Sequence, residues 1–434
     1  MSIRNPNSKF NLINNRIKYG TDGGINVDSN TLFVNATTGR VGVGTLTPQA
    51  TLDVSGSIKF SSLSDSGNSS GSNTQVLTKV NNNTLWSYPQ YYLRGSDFIP
   101  SNTSDLSQYT FTNSDVSAFA GGVLAPNGKI YGIPFNSTYV PIIDPINNTV
   151  DTTTITGLTG TQKWEGGVCH PNGNIYCIPY DSQNVLIINT FTNTVNITTF
   201  SGFTGSAKWS GGVLAPNGKI YGVPYNSTNV LVIDPSNNTA TQSTITGLPS
   251  NAAKWSGGVL APNGNIYCMP YDISNVLIIT TTTDVSNIST FTGFDGSAKW
   301  SGGVLAQNGR IYGVPYDASG VLVIDVSSGN SATRNTITGL NGSAKWSGGV
   351  LGTNGNIYCM PYDSSSCLII NPLNDTSNNT TITGLTGSAK WFGGVLAPNS
   401  RIYGMPHNSS KILQLKAGLP TIPNWPIAPQ FNKF

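Results

Sequence analysis

From residue 119 to the C-terminal end, short apolar runs alternate with polar turns, and the whole pattern recurs at a fixed interval. In one copy, the run Trp209 to Ala215 ends at Pro216-Asn217-Gly218, and Asn-Gly is the strongest short hairpin signal. A second run, Lys219 to Pro224, stops at Tyr225-Asn226-Ser227-Thr228. The third, Asn229 to Ile233, is apolar enough for a strand buried on both faces, and it ends at Asp234-Pro235-Ser236-Asn237-Asn238. The fourth, Ala240 to Ile245, mixes Thr and Ser with other residues and suits a solvated outer edge. No segment of the copy carries a helical period.

The copies are anchored by Phe119, Trp164, Trp209, Trp255, Trp300, Trp346 and Trp391, at intervals of 45, 45, 46, 45, 46 and 45 residues. Four short antiparallel strands in about 40–50 residues make one propeller blade. The pattern therefore predicts an all-β chain whose repeats close into a seven-bladed β-propeller of four-stranded blades. Closing the ring removes the sheet edges that would otherwise invite aggregation. Each first strand carries a Gly-Gly pair such as Gly211-Gly212. Glycine weakens a strand unless backbones must approach closely, so this strand is expected to line the central axis. The last copy lacks a Thr-rich fourth strand, and Ser107 to Thr112, ahead of copy one, looks like the missing piece. An N-terminal strand is thus expected to close the last blade.

The copies also alternate. The residue after the Ile-Tyr pair is Gly132, Cys177, Gly222, Cys268, Gly313, Cys359 and Gly404 in turn. This suggests amplification of a two-blade unit, and with seven blades two glycine-type blades must meet at the seam.

Residues 1–100 do not share the repeat, and residues 419–434 form a proline-rich tail beyond the propeller of residues 101–418. The early segment Thr31 to Gly56 shows short alternating runs punctuated by Gly and Pro; it reads as β structure whose edges need partners. Its core, "GRVGVGTLTPQATLDVSGSI", resembles a segment common in viral and phage tail-fibre stems, and Thr74 to Thr78 followed by Leu85-Trp86-Ser87 is similar to a second stem element. The resemblance implies an intertwined trimeric β-stalk beneath a receptor-binding head, with the serine-rich run Ser61 to Ser72 as a hinge or loop. More loosely, "NVLVIDPSNNT" resembles the YVTN-like and Kelch-like repeat propellers, although the leading "KWSGGVLAPNG" is not part of that pattern.

Composition narrows the function classes. Charged residues are 9% of the chain and the net charge is +3, too little to argue for nucleic acid. No apolar run reaches the length of a membrane span. Met1 to Asn7 lacks the apolar core of a signal peptide, so synthesis in a cytoplasm is expected, and the fibre-stem resemblance implies a host cytoplasm and a place on a virion surface. The five cysteines are an odd number, three of them at one repeated strand position, and they are expected to be reduced and non-catalytic.

The loops at one face repeat a distinctive chemistry. The loop entering the first strand carries Lys163, Lys208, Lys254, Lys299, Lys345 and Lys390, each just before the Trp. The loop after the second strand carries Tyr180-Asp181, Tyr225-Asn226, Tyr271-Asp272, Tyr316-Asp317 and Tyr362-Asp363, with Phe135-Asn136 and His407-Asn408 as variants. Exposed rings of these groups would suit a glycan: aromatic faces stack on sugars, amides and carboxylates bond hydroxyls, and lysines favour acidic sugars. A large aromatic repeated in every blade is equally a blade-packing residue, which is the expected role of the Trp series and of Phe119. For the tyrosines both roles stay open; the lysines are expected to be exposed and to pair with nearby Asp. Residues that break the symmetry are separate clues: Phe135, Glu165, His170 and His407.

Enzyme chemistry finds little footing. The two histidines sit in different loops, no metal-spaced cluster appears, and no nucleophile elbow, phosphate loop or zinc motif is present. No cofactor is expected. The expected function is a fibre or virion surface protein, homotrimeric through its stem, whose head binds a host-surface glycan or receptor. Two alternatives are a structural propeller docking other virion proteins and a propeller lyase using a His near the axis.

Overall fold

A computed structural model describes residues 103–105, 116–326 and 331–417 and, further toward the N-terminus, seven strands between Ile17 and Ser87. The chain divides into two compact units, residues 1–70 and 71–434. In the first, Ile17–Tyr19, Ile25–Val27, Leu32–Asn35, Arg40–Val43 and Leu52–Val54 form one sheet in sequence order. Its hairpins are antiparallel, and the last pair is parallel, Val41 opposite Leu52. In the second unit, Val76–Val80 and Asn83–Ser87 make a hairpin with Leu77 opposite Trp86. The expected hinge at 61–72 and the tail at 419–434 lie outside the described residues.

The repeats build seven four-stranded antiparallel sheets, and the described residues contain no helix. The third blade consists of Trp209–Leu214, Ile220–Pro224, Val230–Asp234 and Thr239–Ile245, paired in that order. The second strand is buried along its length and the third nearly so, while the fourth is largely solvated. Elsewhere the described fourth strands are only three residues long. Each first strand touches the first strands of both neighbouring blades, the last returning to the first, so the ring is closed.

The glycine pair has two distinct duties. A Cβ on Gly166 would lie 2.8 Å from the Cα of Gly211, and one on Gly348 would lie 2.7 Å from that of Gly393. The backbone also takes a positive φ there, 73° at Gly166, where the register of the first two strands slips by a bulge. The second glycine lies under the preceding blade: a Cβ on Gly212 would meet Ile178 at 2.7 Å. Axial crowding is therefore what requires glycine in the innermost strand.

An N-terminal strand does close the last blade, but it is Thr103–Asp105, pairing with Leu413–Lys416. The expected location was Ser107 to Thr112, which lies outside the described residues. The earlier segment shares the short hydroxyl-rich character of an outer strand, and nothing in local pattern separates the two choices.

The repeated Trp side chains fill the spaces within and between blades. Trp209, Trp255 and Trp300 are completely buried. Each indole N–H donates to a carbonyl 20 residues on, as Trp209 Nε1 does to Asn229 O at 2.8 Å. Phe203 meets Trp209 edge-on with centroids 5.6 Å apart. Phe119, which replaces Trp in the first blade, is buried against Tyr139. Four of the five cysteines are buried, all five are free thiols, and burial pushes their proton affinity up, Cys169 to about 11.

Candidate functional site

The lysine, aromatic and Asp/Asn series do share one face, but the structure assigns them different work. The lysines are not exposed. Lys163, Lys208, Lys254, Lys299, Lys345 and Lys390 are all buried, which corrects the expectation of a cationic ring. Lys254 Nζ donates to Tyr225 O and to Asn251 O, each at 3.0 Å, and it lies 5.9 Å from the Trp255 ring centroid. The arrangement recurs at Lys208, Lys299, Lys345 and Lys390. Loss of water pushes the Lys208, Lys254, Lys299 and Lys345 ammonium groups down to about 8. These side chains pin one blade to the next; their charge does not reach a ligand.

The Asp and Asn series also ties blades together. Asp181 Oδ1 accepts from Ala207 N at 2.6 Å, Asn226 from Ala253 N at 2.8 Å, and Asp272 from Ala298 N at 2.6 Å. Asp317, Asp363, Asn136 and Asn408 repeat the bond with Ala344, Ala389, Gln162 and Ser117. Every one of those N–H donors belongs to a non-glycine residue at positive φ, for example 47° at Ala298. A side-chain oxygen held at this strained corner is thus a structural fastening.

The aromatic series does something else. Phe135, Tyr180, Tyr225, Tyr271, Tyr316, Tyr362 and His407 form a closed collar in which every ring touches two others, with centroids 5.5–5.8 Å apart. Planes of successive rings are tilted by 42–56°. A seven-membered ring with sides near 5.7 Å is about 13 Å across between opposite centroids. Apart from His407, which is buried, the collar is partly exposed.

Beneath the collar lies the residue that follows each Trp. Across the blades this column reads Ala120, Glu165, Ser210, Ser256, Ser301, Ser347 and Phe392. Ser210 Oγ donates a hydrogen bond to Glu165 Oε1. Hydroxyl contacts then run from Ser210 to Ser256 at 3.2 Å, to Ser301 at 3.4 Å and to Ser347 at 2.8 Å. Phe392 packs against Tyr362 and His407. The floor of the mouth is therefore one carboxyl, a run of four hydroxyls and an aromatic ring.

Glu165 is the sole glutamate of the chain. Burial pushes its carboxyl up to about 7, partly opposed by the Ser210 hydrogen bond, and no cation counters it. Burial is also the main reason the Tyr180, Tyr225 and Tyr271 phenols are held well above their ordinary range, and the nearby Glu165 charge adds to it. His407 Nδ1 sits 2.8 Å from Phe119 O. A carbonyl only accepts, so Nδ1 carries the proton and the neutral ring keeps Nε2 as an acceptor; burial lowers its proton affinity.

His170 is elsewhere. It follows the far end of Trp164–Cys169, meets Tyr176 edge-on at 6.1 Å, and accepts from Asn172 N at 3.2 Å. A six-residue strand, about 20 Å long, separates it from the collar face, so the two histidines do not form one site. The four serines and Phe392 had not been singled out from sequence. The signal was present: they share Glu165's column, one place before the axial glycine.

No family model and no curated protein matches the chain in sequence. Solved structures do match its fold. Virginiamycin B lyase from Staphylococcus aureus superposes with a TM-score of 0.58 at 14% identity, over 72% of this chain and 99% of the other. A hydrazine synthase from Kuenenia stuttgartiensis gives 0.51 at 14% identity over 69% and 96%. The extracellular domain of a protein assigned as a hybrid two component system from B. thetaiotaomicron gives 0.54 at 11% identity over 94% and 51%. At such identities the likeness concerns the propeller fold.

Proposed function

We propose that this protein is a binding head whose axial mouth takes the terminal unit of a surface ligand, a glycan being the class that suits it. The observation that carries the reading is the closed aromatic collar over Glu165 and the serine hydroxyls. Sugar C–H faces stack on tyrosine rings, and hydroxyls exchange hydrogen bonds with a carboxyl and serines. A collar about 13 Å across between opposite ring centroids is too narrow for a folded domain.

Moving the site from the outer loops to the axis changes the ligand. The lysines that would have favoured acidic sugars are buried against carbonyls, and no cation counters the Glu165 carboxyl. Sialylated and sulfated glycans are therefore expected to bind worst, and neutral or amino sugars best. The experiment is a glycan array probed with the full chain and with Tyr271→Ala. Selective capture of neutral or amino sugars that Tyr271→Ala loses supports the reading; capture of acidic glycans alone sinks it.

The N-terminal strands supply the second half of the proposal. By resemblance they form a trimeric stalk of a virion fibre, and three weak heads on one stalk gain about 10²–10⁴ in avidity when their targets lie within reach. Light scattering of the full chain tests this: a trimer mass is expected, and a monomer removes the stalk from the reading. His407 in the collar favours a second reading, a lyase with His407 as base. Turnover of a collar ligand that His407→Ala abolishes, with binding intact, would establish it.

A further inference from the structure

We propose that the axial mouth recognises its ligand through an ammonium group, which seats on the Glu165 carboxylate and the neighbouring serine hydroxyls while the collar encloses the carbon skeleton that bears it. The inference rests on the binding reading above and names the charge of the ligand.

Glu165 carries the first part of it. Where four other blades place Ser in this column, the second blade places a full carboxylate, buried and with one protein hydrogen bond, from Ser210. The residue keeps 8% of its surface exposed, and no second hydrogen bond to its carboxyl is present among the described residues. A carboxylate in a low-dielectric setting without a cation is costly unless a partner arrives. The groups facing it are Ser210 and the neutral phenols of Tyr180, Tyr225, Tyr271 and Tyr362. None of these is a cation, so a cationic group on the ligand is the partner that would hold the carboxyl ionised.

The collar supplies the second part. Tyrosine faces attract cations, and the attraction strengthens when water is excluded. An ammonium has three N–H donors, which match a carboxylate oxygen and serine oxygens. A hard divalent metal ion would want several carboxylates, and the described residues contain no cluster of three His, Cys, Asp or Glu. An organic ammonium fits where such a metal does not.

The test titrates the full chain with methyl glucosaminide, methyl glucoside and n-butylamine by calorimetry, comparing wild type with Glu165→Gln. The amino sugar is expected to bind about tenfold tighter than the neutral sugar, and Glu165→Gln is expected to erase that difference by weakening the amino sugar far more than the neutral one. Equal affinities in wild type, or a preference that survives Glu165→Gln, overturn the ammonium inference and leave the glycan reading standing. If butylamine binds through Glu165 and neither sugar does, the glycan reading falls and the inference stands. No binding of any probe at about 10 mM overturns both. A pH series on the wild type needs no variant. The preference is expected to fade as pH falls through about 7, where Glu165 takes up its proton, and a preference unchanged at pH 5 also overturns the inference.

Discussion

Met405 of the last blade packs directly over Gly132 of the first, its Cε 2.8 Å from where a Cβ would stand. The contact resolves the odd number of alternating blades. Ile178, Met269 and Met360 reach toward Gly222, Gly313 and Gly404 of the following blade. Ile133, Val223 and Val314 instead precede Cys177, Cys268 and Cys359, and share a core with them. The junction rule is thus a long side chain against glycine and, in two junctions of three, a shorter one against cysteine. At the seam two glycine-type blades meet, and the last blade carries Met405 where the others of its type have Ile133, Val223 and Val314.

That rule can be rebuilt in one junction. Gly313→Cys should overpack against Met269 and cost about 1–3 kcal/mol, and Met269→Val should open a void and cost about 1–2 kcal/mol. The double variant recreates the Val223–Cys268 junction, so denaturant titration should show a favourable coupling of about 1 kcal/mol or more. At the seam the equivalent rescue should fail, because a Cβ on Gly132 also meets the Pro141 ring at 2.6 Å.

Glu165 should leave a pH signature on stability. Its carboxyl rises from 4.5 to about 7 on folding, so between those values the folded state binds more protons than the unfolded one. Stability therefore falls as pH rises from about 4.5 to 7, by about 3 kcal/mol once the carboxyl is ionised in both states. Glu165→Gln removes this dependence. Melting curves should show the variant gaining on wild type between pH 5 and 8, and parallel curves would mean that Glu165 is not desolvated.

The strained corners predict a pair of opposite effects. Asp272→Ala removes the acceptor of Ala298 N–H and should destabilise by about 1–2 kcal/mol. Ala298→Gly relieves a φ of 47° and should stabilise by up to about 1 kcal/mol, the cost of a flexible unfolded glycine offsetting part of the gain. Equilibrium unfolding of both variants measures the two signs.

Trp300 and Tyr271 should separate packing from recognition. Trp300→Ala empties a fully buried site and should cost about 3–5 kcal/mol. Tyr271→Phe keeps the ring contacts of the collar and should leave both stability and sugar stacking close to wild type, whereas Tyr271→Ala should lose the ligand at a smaller stability cost than Trp300→Ala. A binding isotherm beside a melting curve distinguishes these outcomes.

The sequence by itself determined the propeller, its seven blades and its innermost strand. Those features follow from local chemistry repeated at a fixed interval: Asn-Gly turns, apolar third strands, and glycine where backbones crowd. Lys254, Asp272 and Tyr271 looked alike in that reading, as repeated polar or aromatic groups on adjacent loops. Only the tertiary structure told them apart, because their partners come from neighbouring blades, 29 residues back for Lys254 and 26 residues on for Asp272. Glu165 and His407 were visible as exceptions to the repeat, but their meeting around one axis depends on ring closure, which brings blade seven back to blade one. A periodic sequence states what every blade contains; which of those side chains faces a neighbour and which faces the axis is decided by the twist and closure of the ring.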